Sequence, residues 1–217
     1  MAESPSPRVL VTGDSMVEPL DRQLAVAVRR TGGRAFRDPR PGTGLTRPLI
    51  LDWVRHARRQ VKRHRPRATV MFIGANDSAA LRAGDGREVE CCRRAWIAAY
   101  ADRVERMMRI YRRGSRAWVY WVTLPMPRGS EHWPRFKATN LAIAQAGAAA
   151  GERVRVVDTV PVLSPGNRYR RRVEYRGRTV TVRDRDGVHL TVDGVRRAAD
   201  WTAVALHQFW LAGSDQA

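Results

Sequence analysis

Four side chains of this sequence have the types that acyl transfer needs: Ser15, Asn76, Asp186 and His189. A serine hydroxyl is a poor nucleophile until an imidazole accepts its proton. The imidazole in turn needs one ring nitrogen held in the right tautomer and its positive charge stabilised, which a carboxylate does. Asp186 and His189 stand three apart across Gly187, so a tight turn would set the carboxylate against one ring nitrogen and leave the other for Ser15. A developing oxyanion needs donors, and three are at hand: the Ser15 backbone N–H, the Asn76 side chain, and a glycine N–H from the loop Pro41-Gly42-Thr43-Gly44-Leu45. Either Gly42 or Gly44 fills the last role at this level. Each residue also has a plainer reading. Ser15 suits a helix N-cap, Asn76-Asp77 suits an Asx turn, and His189 suits a half-buried core position.

What favours chemistry is the placement of the set. Strand-like and helix-like patterns alternate, which predicts an α/β protein built as a three-layer α/β/α sandwich with a central parallel sheet. Strands are expected at Val9–Thr12, 34–37, 68–73, 118–123 and 154–157, and helices near 16–31, 49–63, 90–112, 135–150 and 192–210. A small β-hairpin around Arg176-Gly177 precedes the last helix. In such sheets, sites lie outside the carboxyl ends of the strands. Ser15 follows the first strand, Asn76 the third, and Asp186 with His189 come after the last. The polar segment from Ser78 to Glu88 reads as a surface loop or lid over that edge.

Gly13-Asp14-Ser15, the glycine loop with Gly44, Gly74-Ala75-Asn76-Asp77 and Asp186-Gly187-Val188-His189 resemble, in order, the four blocks of the SGNH (GDSL-type) hydrolase superfamily. The blocks spread over nearly the whole chain. The second departs from the family pattern, since Thr43-Gly44-Leu45 stands where Ser-Gly-Asp is frequent. The resemblance implies a flavodoxin-like fold and Ser-His-Asp catalysis, with Ser15 as nucleophile and Asp186 and His189 completing the triad. It also implies that Ser15, Gly44 and Asn76 form the oxyanion hole. Asp14 is expected to be structural. The function that follows is a serine esterase or deacylase acting on a small, in the first place acetyl, ester through an acyl-enzyme. O-acyltransfer to a carbohydrate uses the same residues, and a basic non-catalytic binding module is the alternative from another class. Met16, Leu45, Ser78, Leu124, Met126 and Val188 are expected to line the acyl pocket because they neighbour the blocks. No cofactor or metal is implied; His56 and His64 fall on an Arg-rich helix and are expected at the surface.

Composition bounds the rest. At 217 residues and 43% hydrophobic content, the expectation is one domain over 8–212 after a disordered tail, 1–7. No run of apolar residues is long enough to span a membrane and no signal peptide is recognisable, so the chain is expected to be cytoplasmic. Adjacent Cys91 and Cys92 are expected as free neighbours on one helix, because neighbouring cysteines form no unstrained disulfide. The net charge of +19 comes almost wholly from arginine, Lys62 and Lys137 being the lysines. These arginines are spread through every predicted element, with the densest run at 168–178. Nucleic-acid binding is therefore not expected, and the partner is a small-molecule or carbohydrate ester.

Overall fold

The computed structural model describes residues 6–207. Five parallel strands form the central sheet: β1 (Arg8–Gly13), β2 (Arg34–Pro39), β3 (Ala68–Phe72), β6 (Trp118–Val122) and β7 (Val154–Val157). Their spatial order, β2-β1-β3-β6-β7, is the flavodoxin-like one expected. Two antiparallel hairpins stand apart from the sheet. One pairs β4 (Leu81–Arg82) with β5 (Glu88–Val89), so the predicted loop 78–88 is largely a short hairpin that closes on Val89. The other pairs β8 (Arg172–Tyr175) with β9 (Arg178–Thr181), as expected before the last helix.

The helices are α1 (Glu18–Arg30), α2 (Trp53–His64), α3 (Arg94–Arg112), α4 (Trp133–Ala149), the single turn α5 (Val160–Leu163) and α6 (Val192–Leu206). Strand alternation decides which helices each face receives. Val9 and Val11 pack with Leu20, Leu24, Val195 and Ala198, placing α1 and α6 on one face. Leu10 points the other way, into a core of Trp53, Trp96, Tyr100, Met107 and Ile143 supplied by α2, α3 and α4. The expected three layers are present. None of the helices among the described residues is long and apolar enough to cross a membrane.

Some boundaries differ from expectation. The Asp52 carboxylate accepts the Arg55 N–H, so α2 starts at Trp53 and not near Leu49. Cys91 and Cys92 precede α3 and are joined to each other as a disulfide, contrary to the expectation of free thiols on a helix. The Pro7 carbonyl accepts the Arg34 N–H at 2.7 Å, so backbone pairing begins within the stretch expected as a tail. Residues 1–5 of the expected tail and residues 208–210 of the expected last helix lie outside the described residues.

Candidate active site

Ser15 sits in the turn between β1 and α1, and the α1 N-cap is Val17, so Ser15 is not the cap that its position first suggests. The turn is held by Asp14. Its buried carboxylate accepts the backbone N–H of Met16 at 2.8 Å, of Gly74 at 2.9 Å and of Ala75 at 3.1 Å. One side chain thus ties the Ser15 turn to the Asn76 turn, a structural role as expected. Burial pushes the Asp14 carboxyl up to about 7, against the three N–H groups that favour its charged form. Gly13 is required where it stands: a Cβ there would lie 1.9 Å from the Phe72 carbonyl oxygen.

His189 arrives from the far end of the chain. Its Nε2 lies 2.9 Å from Ser15 Oγ, and its Nδ1 faces Asp186 Oδ2. A carboxylate only accepts, so Nδ1 carries the hydrogen and Nε2 is left to accept from the serine hydroxyl. Asp186 also accepts the N–H groups of Val188 at 2.8 Å and His189 at 3.0 Å. Burial raises the Asp186 carboxyl, but His189 and these two N–H groups outweigh it and hold it below the usual carboxylate range.

The loop 184–189 is clamped at its base by a bridge between Arg183 and Leu190 and by the Asp184 N–H donating to the His189 carbonyl at 2.9 Å. Beneath it, Arg183 is 1% exposed. Its guanidinium donates to the carbonyls of Val188 at 2.8 Å and Met126 at 2.7 Å, and to Ser164 Oγ at 3.1 Å. Nothing in the sequence singled Arg183 out, because it is one arginine among many.

The glycine loop is positioned by Asp77, which is fully buried. Asp77 accepts the N–H groups of Leu45 at 3.1 Å and Thr46 at 2.8 Å, and the Tyr100 hydroxyl at 2.6 Å. Gly44 packs directly on it: a Cβ at Gly44 would lie 2.3 Å from Asp77 Oδ1. Gly42 is exposed and has open space around it, so the buried glycine facing the strand ends is Gly44. Asn76 Nδ2 donates to the Thr43 carbonyl at 3.0 Å, the carbonyl of the peptide that carries the Gly44 N–H. Among the described residues the Ser15 and Gly44 N–H groups donate to no protein acceptor. The spacing alone read Asp77 as half of an Asx turn; its hold on a loop 31 residues upstream is a tertiary fact.

A cavity of about 510 Å³ opens beside Ser15 and His189. Pro19, Arg22 and Gln23 of α1 and Leu190, Val192 and Val195 around the start of α6 line it. This is not the lining the sequence suggested. Met16, Leu124 and Met126 are core residues at most 1% exposed, and Leu45 lines a separate cavity between α2 and α3. Ser78 is exposed and Val188 half-buried, and neither lines the cavity beside Ser15. His56, expected at the surface, is buried and bonds Asp38 through Nε2 at 2.9 Å.

The architecture and strand order are those of the SGNH hydrolases. The sequence model of a family described as "protein of unknown function (DUF459)" matches residues 8–204, and the chain belongs to that family. No curated protein matches the chain. Among solved structures, a candidate SGNH hydrolase from Slackia heliotrinireducens is similar at 16% identity and TM-score 0.59, over 93% of this chain and 99% of its own. The C-terminal catalytic domain of peptidoglycan O-acetyltransferase A from Streptococcus pneumoniae, with a methylsulfonyl adduct, is similar at 15% identity and TM-score 0.52, covering 94% of each chain. A family two carbohydrate esterase from Clostridium thermocellum, in complex with cellohexaose, is similar at 14% identity and TM-score 0.57, over 95% of this chain and 66% of its own.

Proposed function

We propose that the chain is a serine esterase or deacylase that cleaves small acyl esters, acetyl esters first among them, through an acyl-enzyme on Ser15. The observation that carries this reading is the hydrogen-bonded series Ser15 Oγ, His189 Nε2, His189 Nδ1, Asp186, assembled from residues 174 apart in sequence. Ser15 Oγ attacks the ester carbonyl carbon while its proton passes to His189 Nε2, and Asp186 stabilises the imidazolium that results. The oxyanion is met by the N–H groups of Ser15 and Gly44 and by Asn76 Nδ2, which turns from the Thr43 carbonyl to do so. His189 then protonates the departing alcohol oxygen. Water, deprotonated by His189, attacks the acyl carbon and releases the acid and free Ser15.

Transfer of the acyl group to a sugar hydroxyl is the second reading, and the cavity beside Ser15 favours it. Its mixed lining of Arg22, Gln23, Leu190 and Val192 gives an acceptor both polar and apolar contacts. The similar folds named above include an O-acetyltransferase domain and a carbohydrate esterase, which makes both outcomes chemically reasonable.

A fluorophosphonate probe tests the common step. Labelling of folded wild type at Ser15, lost in Ser15→Ala and reduced at least a hundredfold in rate in His189→Ala, is the expected result. Equal labelling of the His189 variant, or no adduct at Ser15, rejects the reading. Burst kinetics with p-nitrophenyl acetate, with and without cello-oligosaccharides, then separates hydrolysis from transfer.

A further inference from the structure

The arginines are spread along the chain but not in space. Each strand of the central sheet has an arginine at its first residue or within the two residues before it: Arg34 for β2, Arg8 for β1, Arg67 for β3, Arg116 for β6 and Arg153 for β7. Taken in sheet order, they form a row along the edge opposite Ser15. The register is direct. Arg8 pairs with Arg34, the Arg67 N–H donates to the Arg8 carbonyl, the Trp118 N–H to the Arg67 carbonyl, and the Val119 N–H to the Arg153 carbonyl. At the usual spacing between strands, the five span about 19 Å. Arg65 and Arg113, in the loops that follow α2 and α3, widen the row into a patch.

This positive charge is not balanced locally. Among the described residues, none of these seven arginines has an ion pair with a carboxylate, and Glu152 is the one acid in the loops that carry them. The guanidinium of Arg113 is held below its usual range by burial and then by Arg116, Arg65, Arg67 and Arg8, four like charges. Favourable placement at helix C-termini accounts for arginines in the last turns of α1, α2 and α3. It does not account for one at the foot of each strand.

From this geometry we infer that the N-terminal edge of the sheet is a docking surface for an anionic phospholipid bilayer, held by headgroup phosphates with no insertion into the acyl layer. Guanidinium groups suit phosphate because they donate two parallel hydrogen bonds. The patch extends in two dimensions, across the strands and out over the helix ends, as a planar array of headgroups requires. Among the described residues, none of the large exposed apolar side chains, Leu49, Ile50 and Trp201 among them, lies in the loops that carry these arginines, which leaves phosphate contact as the mode of docking. Single-stranded nucleic acid is less well served. The aromatic rings here, Phe36 and Trp118, each already carry two guanidinium groups, Arg8 and Arg34 on the first and Arg153 and Arg155 on the second, with which a stacking base would have to compete. Docking by this edge leaves the Ser15 end facing solvent, so the inference stands whether or not Ser15 is a nucleophile.

Vesicle co-sedimentation of the full chain tests it. Vesicles of phosphatidylcholine alone should leave the protein in solution, vesicles containing phosphatidylglycerol should bind it, and raising the salt from 50 to 300 mM should release it. Arg67→Gln/Arg116→Gln/Arg153→Gln should weaken binding by about a hundredfold, on the order of fivefold per cation at a membrane surface. Arg82→Gln/Arg94→Gln/Arg170→Gln removes the same charge from exposed sites elsewhere and should bind within about threefold of wild type. Arg116→Gln alone serves if the triple variant fails to fold, with a loss of about fivefold. Absence of binding to phosphatidylglycerol vesicles, or equal loss in the two triple variants, overturns the inference. So does retention of duplex DNA in a gel shift under salt where vesicles are not bound, which would assign the patch to nucleic acid.

Discussion

At the scale of single residues, the site depends on three buried charged groups that do not themselves react. Arg183 holds the carbonyl of Val188, next to His189, and the carbonyl of Met126 after β6. Arg183→Met would leave both carbonyls without that donor, each at a cost of about 1–3 kcal/mol. The expected result is a lower melting temperature and a kcat on esters reduced by roughly tenfold or more with little change in KM, since Arg183 does not line the cavity beside Ser15. Arg183→Lys can reach one acceptor and should fall between. A Met variant with wild-type kcat would remove Arg183 from the positioning of His189. Asp14 gives a pH signature. Its folded pKa of about 7 stands above the ordinary value of 3.8, so the folded state binds the proton more tightly than the unfolded chain does. Its contribution to stability is fully present below about pH 4 and is lost as the pH rises through 7, on the order of 4 kcal/mol over the window. Chemical denaturation between pH 4 and 8 should show this falling slope in wild type and a flatter profile in Asp14→Asn.

At the scale of elements, the site is four segments held at one sheet edge: the Ser15 turn, the glycine loop, the Asn76 turn and the loop 184–189. Asp14 joins the first to the third, and Asp77 fixes the glycine loop that lies between them in sequence. The Gly44 position shows how tight this is. A methyl group there meets the Asp77 carboxylate, so Gly44→Ala must shift the loop, at about 1–3 kcal/mol of overpacking. If the Gly44 N–H stabilises an oxyanion, kcat should drop by about a hundredfold while fluorophosphonate still labels Ser15 slowly. Gly42→Ala, in open space at a left-handed φ of 74°, should cost a few tenths to about 1 kcal/mol of stability and leave kcat within about threefold. Equal kinetic effects from the two substitutions would count against the assignment. The strand-end blocks were legible in the sequence because each needs only local chain: a buried apolar run, then Gly-Asp-Ser or Gly-Ala-Asn-Asp. The lining of the cavity beside Ser15 was not. Nearness in sequence to Ser15 suggested Met16, but at the end of a strand the next residue turns inward, and Met16 packs in the core with Leu20 and Phe72. Substitutions in the observed cavity should therefore change specificity where Met16 substitutions change stability. Val192→Trp, at an exposed position of its lining, is expected to raise KM for larger acyl or acceptor groups, while Met16→Ala costs about 2–5 kcal/mol of stability.

At the scale of the whole molecule, the two ends of the sheet differ in character. One end gathers Ser15, Gly44, Asn76, Asp186 and His189, and the other gathers the arginines. The separation predicts that neutralising Arg67, Arg116 and Arg153 leaves ester hydrolysis in solution within about twofold of wild type at physiological salt, where a charge is screened within roughly 8 Å. Steady-state kinetics with p-nitrophenyl acetate measures this. The sequence by itself determined the alternation of strands and helices, and hence the layers, because the apolar periodicity of each segment is a local property of its own residues. It also determined the candidate nucleophile, base and acid, whose types and order along the chain admit few other chemistries. Only the tertiary structure decided which glycine faces the strand ends, which arginine braces His189, which residues line the cavity, and that an even spread of charge becomes one patch. Those facts depend on distances between segments far apart in sequence, which are set by how the layers pack.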